Sequence, residues 1–250
     1  MNEEIYILIL SSARLKRNRL QGCIDTWLSH FKNYLVSSDG DLGPDIKHFI
    51  ATDLSNWHSC PPKLFRGIEK VADNDLDCKW LFICDDDTFV NYLNLISFCN
   101  QLDISEDKLY GRDMTGNYPF GHRQLKFLSG GAGTLMPMRV AKQMLNEIKK
   151  ENWMEWLSHP SVFPGDWKSH KEYPIHAQAD NKLGWVAETM GLEMVNFPDL
   201  FHPEPPSKHK KSPESILECI TYHRIMGEGP AKLEEIVMNN ETRYIPSLLV

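Results

Sequence analysis

Short apolar runs alternate along this chain with stretches in which apolar residues recur every three or four positions. The run at 5–10 (IYILIL) has the length of a buried strand. Over 17–31, Leu20, Ile24, Trp27, Leu28 and Phe31 fall at helical spacing and predict an amphipathic helix. Residues 34–37 and 46–51 read as strands separated by the turn-rich DGDLGPD; a helix follows the prolines at 61 and 62, and 79–84 (KWLFIC) reads as another strand. Helices are predicted over 91–100, over 139–149, where Val140, Met144 and Ile148 share a face, and from about 180, where Leu183, Val186, Ala187 and Met190 form a stripe. Strands that alternate with helices imply an α/β sandwich around a mostly parallel sheet. No internal repeat or low-complexity linker interrupts the pattern, so the 250 residues read as one domain.

Composition narrows the function classes. A net charge of −7 gives no general reason to bind nucleic acid or an anionic membrane. KHKK at 208–211 is a compact basic run and reads as a solvated loop. The six cysteines form no CxxC pair and no zinc-like spacing, and Cys84, inside an apolar run, reads as a buried thiol. No stretch approaches the roughly 20 apolar residues that span a bilayer, and no signal peptide opens the chain. The expectation is a soluble, cytoplasmic protein as written, with the Golgi lumen as the alternative if the chain is a trimmed form.

LFICDDDTFV, at 81–90, sets Asp85, Asp86 and Asp87 at the end of a core strand. That is the carboxyl edge of the sheet, where open α/β folds bind ligands. Neighbouring carboxylates repel and need water, a cation or a donor to stay ionised. The ligand that suits three of them is a hard divalent cation, which brings a phosphate with it. LKFLSGGAGTLM, at 125–136, runs from an apolar strand into Gly130, Gly131 and Gly133, where backbone can approach a ligand closely. No Lys follows as in a GxxxxGK[ST] phosphate loop.

Together these stretches resemble glycosyltransferase family 31, the Fringe-like and β-1,3-glycosyltransferases. RLQGCIDTW resembles the family's early Arg-containing helix, CKWLFICDDDTFV its acidic metal motif, and KFLSGGAGTLM its glycine-rich segment. ADNKLGWVAETMGL resembles the segment with a catalytic Asp four residues before a Gly, and LFHPEPP and ITYHRI its two C-terminal histidine segments. The resemblance implies a GT-A type nucleotide-sugar-binding sandwich, with residues 1–110 mainly binding nucleotide and 111–250 mainly acceptor-binding and catalytic. It implies a metal-dependent, inverting transfer of a hexose or N-acetylhexosamine from a UDP-sugar to a glycan or glycoprotein hydroxyl, at a 3-position.

On that resemblance Asp87 matches the direct metal ligand and Asp85 the position nearer the ribose and donor sugar, with Asp86 between them. His223 completes the metal site, with His202 as the alternative. Carboxylate, imidazole and phosphate ligands suit manganese, with magnesium as substitute. Asp180 matches the catalytic base. Arg19, Asp39, Asp86, Gly130 and Gly131 are donor-side candidates, and Trp153, Trp156 and Trp167 are candidates to stack on an acceptor sugar. An acidic residue commonly precedes the family's catalytic Asp, whereas here it is Ala179. Two alternatives stay open: a non-catalytic nucleotide-sugar or glycan-binding relative, and a haloacid-dehalogenase-type phosphatase, whose Asp-x-Asp motif would expect a Gly-Thr directly after it, where this chain has Thr88 and Phe89.

Overall fold

The computed structural model describes residues 2–55, 59–74, 77–117, 124–158 and 179–240. A seven-stranded sheet forms its centre, in the order β10 (Glu193–Asn196), β6 (Lys108–Gly111), β9 (Thr134–Pro137), β4 (Trp80–Asp85), β1 (Asn2–Leu10), β2 (Phe31–Ser38) and β3 (His48–Ile50). Six strands run one way, and β9 runs antiparallel between β4 and β6. The expected α/β sandwich with a mostly parallel sheet is what the chain forms.

Strands β1 and β4 are apolar on both faces because both faces are covered. On one side Ile7, Ile9, Phe82 and Cys84 join a core cluster with Leu20, Trp27, Phe98 and Tyr110. On the other, Leu8, Leu81 and Ile83 pack with α2 (Cys60–Ala72), α4 (Met138–Lys150) and α6 (Ala179–Thr189) through Phe65, Ile68, Met144 and Val186. The prolines at 61 and 62 start α2, where a missing N–H costs nothing.

The helix predicted over 17–31 is shorter than its periodicity suggests. Only α1 (Leu20–Ile24) is α-helical; Trp27–His30 is a 3-10 turn, and Phe31 already opens β2. Thr26 bends its hydroxyl back to the Gly22 carbonyl, 2.6 Å away. Leu20, Trp27, Leu28 and Phe31 are buried and Ile24 partly so, but spacing of three also suits a 3-10 turn.

A smaller sheet, β11 (Phe201–His202), β12 (Thr221–Tyr222) and β5 (Phe89–Val90), lies beyond the end of β4. Because β5 follows the aspartates directly and β12 precedes His223, pairing them carries a residue from near the C-terminus to the acidic loop. The Ile225 N–H donates to the Asp87 carbonyl at 2.9 Å and fastens the two segments. The hairpin β7 (Asp113–Asn117) and β8 (Gln124–Leu128) then leads into the glycines. No helix of the described residues is long and apolar enough to cross a membrane.

Candidate active site

The acidic loop, the glycine turn, the start of α6 and His223 meet at the carboxyl edge of the sheet. Strand β4 ends at Asp85, while β9 starts at Thr134 opposite Ile83, so Gly130–Gly133 faces the aspartates across one strand pair. Thr88 Oγ1 donates to the Gly131 carbonyl at 2.8 Å, and Thr221 Oγ1 to the Ala132 carbonyl at 2.6 Å. Those two threonines, which sequence reasoning passed over, hold the glycine turn against the acidic loop and β12. Gly133 sits at φ +92°, and a Cβ there would lie 2.7 Å from Phe82 Cε2, so only glycine fits.

Asp85, Asp87 and His223 form one cluster, with a ligand atom from each within 4.8 Å of the others. His223 Nε2 is 3.0 Å from Asp87 Oδ1 and 3.6 Å from Asp85 Oδ2, while its Nδ1 lies 3.2 Å from the Pro203 carbonyl. That backbone contact fixes the ring with Nε2 turned to the carboxylates. Asp87 is buried, and its Oδ1 has no aligned hydrogen-bond partner among the described residues. A cation with bonds of about 2.2 Å separates neighbouring ligands by about 3 Å, so the residues fit a divalent ion.

The electrostatics follow from crowding. Burial, reinforced by the charges of Asp87, Asp86 and Asp180, pushes Asp85 up to about 7 against the pull of His223. Burial likewise raises Asp86 to about 6. Asp87 is held below the usual carboxylate range because His223 and Arg19 outweigh its burial. His223 is raised because Asp87 and Asp85 outweigh the burial that would lower it.

His202 lies elsewhere. It is buried and stacked on Tyr222 with ring centroids 4.7 Å apart, outside the cluster of Asp85, Asp87 and His223. Burial lowers its pKa to about 4. Its link to the site is through backbone, since its carbonyl accepts from the His223 N–H at 3.0 Å.

Asp180 opens α6 and is drawn to the same glycine turn. Its Oδ2 is 3.4 Å from the Gly130 N–H, and its Oδ1 accepts from the Asn181 N–H at 3.1 Å. Burial raises its pKa despite those hydrogen bonds. The two glycines read from sequence as donor contacts thus also have partners within the chain: Gly130 at Asp180, and Gly131 under the His223 ring.

The remaining candidates divide. Arg19 Nη1 bridges Asp87 Oδ2 at 3.1 Å and Asp86 Oδ1 at 3.5 Å, and its side chain stays about a third exposed. Asp86 is turned inward, accepting from Ser11 Oγ at 2.8 Å. Asp39 is buried, with Oδ1 accepting from the Ala13 N–H and Oδ2 from Lys63 Nζ, both at 2.9 Å. It therefore anchors the loop after β1 to α2, a role for Lys63 that the sequence reading missed. Trp153 is half-buried and meets Trp185 edge-on at 4.9 Å beside the second core cluster. The Trp156 side chain and all of Trp167 lie outside the described residues.

A mostly parallel α/β sheet with acids, a glycine turn and a histidine gathered at its carboxyl edge is the architecture expected of a GT-A glycosyltransferase. The Fringe-like family model matches residues 1–226, and the chain belongs to that family. Among curated proteins it is 21% identical over 236 residues to the β-1,3-N-acetylglucosaminyltransferase lunatic fringe of Xenopus laevis, covering 87% of this chain and 58% of that protein. It is 22% identical to manic fringe of Danio rerio, covering 87% and 61%. The chain thus spans about three fifths of the length of these relatives. A solved glycosyltransferase involved in glycosylation of the major capsid of PBCV-1 aligns over 94% of this chain and 99% of its own, at 16% identity and a TM-score of 0.41.

Proposed function

We propose that this chain transfers a hexose or N-acetylhexosamine from a UDP-sugar to a hydroxyl of a glycan or glycosylated acceptor, with inversion and at a 3-position. The observation that carries this reading is that adjacent residues of one turn touch both halves of the chemistry: Gly130 contacts Asp180, and Gly131 underlies His223. Base and cation ligands thereby share one rigid support. Residues 1–110 would mainly hold the nucleotide and 111–250 the acceptor, with the ligand set drawn from both.

Asp85, Asp87 and His223 would hold a divalent cation, manganese with magnesium as substitute. When bound, it neutralises charge growing on the diphosphate leaving group. Asp180 accepts the proton of the acceptor hydroxyl as that oxygen bonds to the anomeric carbon and the bond to the diphosphate breaks. A carboxylate raised by burial suits that role, because its proton affinity lies nearer the working pH. Arg19 is close enough to the same carboxylates to turn its guanidinium from them to a phosphate. Ala179 is buried with the second core cluster, so the missing acid leaves a packed methyl rather than a hole.

Membership of the Fringe-like family sets aside the dehalogenase alternative. The test is a donor screen with UDP-galactose, UDP-N-acetylglucosamine, UDP-glucose and UDP-N-acetylgalactosamine, with manganese or with chelator, reading UDP release. Metal-dependent release from one donor is the expected result. Tight UDP binding without release from any donor would identify a non-catalytic binding relative instead.

A further inference from the structure

Of the six cysteines, Cys60 alone is not buried, and the proposed chemistry gives it no part. It opens α2, and Lys63, one turn on, reaches Asp39 just beyond the end of β2 at 2.9 Å. The start of α2 therefore lies at the carboxyl edge of the sheet. α6 begins at the same edge, since Asp180 in its first turn meets the Gly130 N–H. Both helices cover the face of the sheet that carries Leu81 and Ile83. Side chains alternate along a strand, so Asp85, two residues after Ile83 in β4, projects from that face too. Cys60, Asp85 and Asp180 thus converge from α2, β4 and α6. The charges agree with this placement: burial pushes the Cys60 thiol up to about 12, Asp85 adds to the rise, Lys63 opposes it, and Asp180 and Asp86 add again.

Two independent observations say what kind of group fits between them. Pro61 and Pro62 remove two of the N–H groups that a helix start offers to an anion, and Lys63 is already neutralised by Asp39. This end of α2 is a neutral wall, unsuited to a phosphate. Thr134 pairs with Ile83 and so faces the same side; it is buried, and its Oγ1 has no hydrogen-bond partner among the described residues. Asn181, next to Asp180, is buried with its Oδ1 likewise unsatisfied. Unsatisfied polar atoms behind a neutral wall suit a group rich in hydroxyls rather than one rich in charge.

In an inverting displacement the anomeric carbon lies in line between the leaving diphosphate and the attacking oxygen, which is held by the base. With the cation at Asp85 and the base at Asp180, the sugar ring occupies the space between them, and Cys60 closes that space from α2. We infer that Cys60 touches the transferred sugar of the donor and sets which ring substituents fit. The inference rests on the transferase reading. A thiol is small and uncharged, so changing its size alters the room beside the sugar while leaving the cation ligands in place.

The probe is methyl methanethiosulfonate on the full chain at about pH 9, since a thiol raised to about 12 is mostly protonated at neutrality. The Cys60 thiolate attacks the reagent's sulfenyl sulfur, a disulfide to the S–CH3 group forms, and methanesulfinate leaves. Peptide masses read the rate at Cys60 with manganese and either UDP or one of UDP-galactose, UDP-N-acetylglucosamine, UDP-glucose and UDP-N-acetylgalactosamine, while calorimetry records which of them bind. A bound UDP-sugar at saturation should slow the modification at least about tenfold more than UDP does. Cys60→Leu should keep the affinity for UDP and change the turnover ratio among the four donors by about 10- to 200-fold. If the leucine variant does not fold, Cys60→Ala, which cannot overfill the site, carries the same readout. UDP-sugars that bind yet protect no better than UDP, or an unchanged turnover ratio, would overturn the proposal. Protection without transfer from any donor would sink the transferase reading and leave the sugar contact; transfer without protection would sink the contact alone, and no binding of any of the four would sink both.

Discussion

Gly131 lies directly beneath the imidazole of His223: a Cβ at position 131 would fall 2.6 Å from Nε2, inside van der Waals contact. The glycine is therefore a seat for the histidine. Gly131→Ala must push the ring off its line to Asp85 and Asp87, and manganese affinity should drop by roughly the 10- to 100-fold that follows loss of a supporting contact. Calorimetric titration of the variant decides this, and unaltered affinity would mean that His223 is not a ligand.

The two histidines should separate cleanly. His223→Ala should raise the manganese needed for half-maximal effect by about 100-fold, and it leaves buried Asp87 with Arg19 as its remaining ion-pair partner. His202→Ala, which empties a buried site stacked on Tyr222, should leave the manganese requirement unchanged and lower stability by roughly 2 kcal/mol. Manganese-dependent shifts in thermal midpoint measure both quantities. The opposite order would transfer the ligand role to His202.

Asp180→Asn preserves size and the helix start but cannot take a proton. Turnover should slow by about 10²- to 10⁴-fold, the usual loss when a general base is removed. Donor affinity should persist, since the proposed cation ligands are Asp85, Asp87 and His223. Near-normal turnover would remove Asp180 from the mechanism.

Lys63 and Asp39 form an ion pair whose side chains are 5% and 2% exposed. Lys63→Met or Asp39→Asn alone leaves a buried charge uncompensated and should cost about 3–5 kcal/mol. The double variant should recover most of that loss, because nothing charged remains unpaired. Denaturant titration of the three variants tests this, and additive losses would show that the charges act independently.

Acid and base titration should leave a sign on the metal-free protein. Asp85 and Asp86, raised to about 7 and about 6, keep protons in the folded state that the unfolded chain has already released. His223, also raised, contributes stability that fades as pH climbs through its folded value. Asp85 and Asp86 make stability fall between about pH 5 and 7 and His223 from about pH 6.5 upward, opposed by His202, whose lowered pKa favours the fold as pH rises. Without metal, the thermal midpoint should be lower at pH 7 than at pH 5. Manganese should raise it more at pH 7, where fewer protons compete for the ligands. A midpoint that rises with pH in chelator would contradict the assignment.

What was legible in the sequence were features confined to one segment. The apolar run before Asp85, the face of Val140, Met144 and Ile148, and the prolines that open α2 each carry their signal locally. The region 17–31 misled because residues such as Leu20 and Trp27 are buried at helical spacing without the backbone being one helix. The site was legible as a set of motifs but not as a set of contacts. Nothing near Gly131 says that its partner is His223, and nothing near Asp39 announces Lys63. Such pairs are decided by which strands lie side by side, which is a property of the whole sheet.

Arg19, paired with Asp86 and Asp87, has a consequence in time as well as in charge. It is synthesised 68 residues before Asp87, whereas His223 comes 136 residues after it. At about 5–20 residues per second, the ribosome delivers that histidine roughly 7 to 27 seconds later. Through that interval the acidic loop lacks the His223 imidazole, but its arginine is already made. The nascent chain thus carries its own temporary counter-ion, which can shield the carboxylates until the last strand arrives.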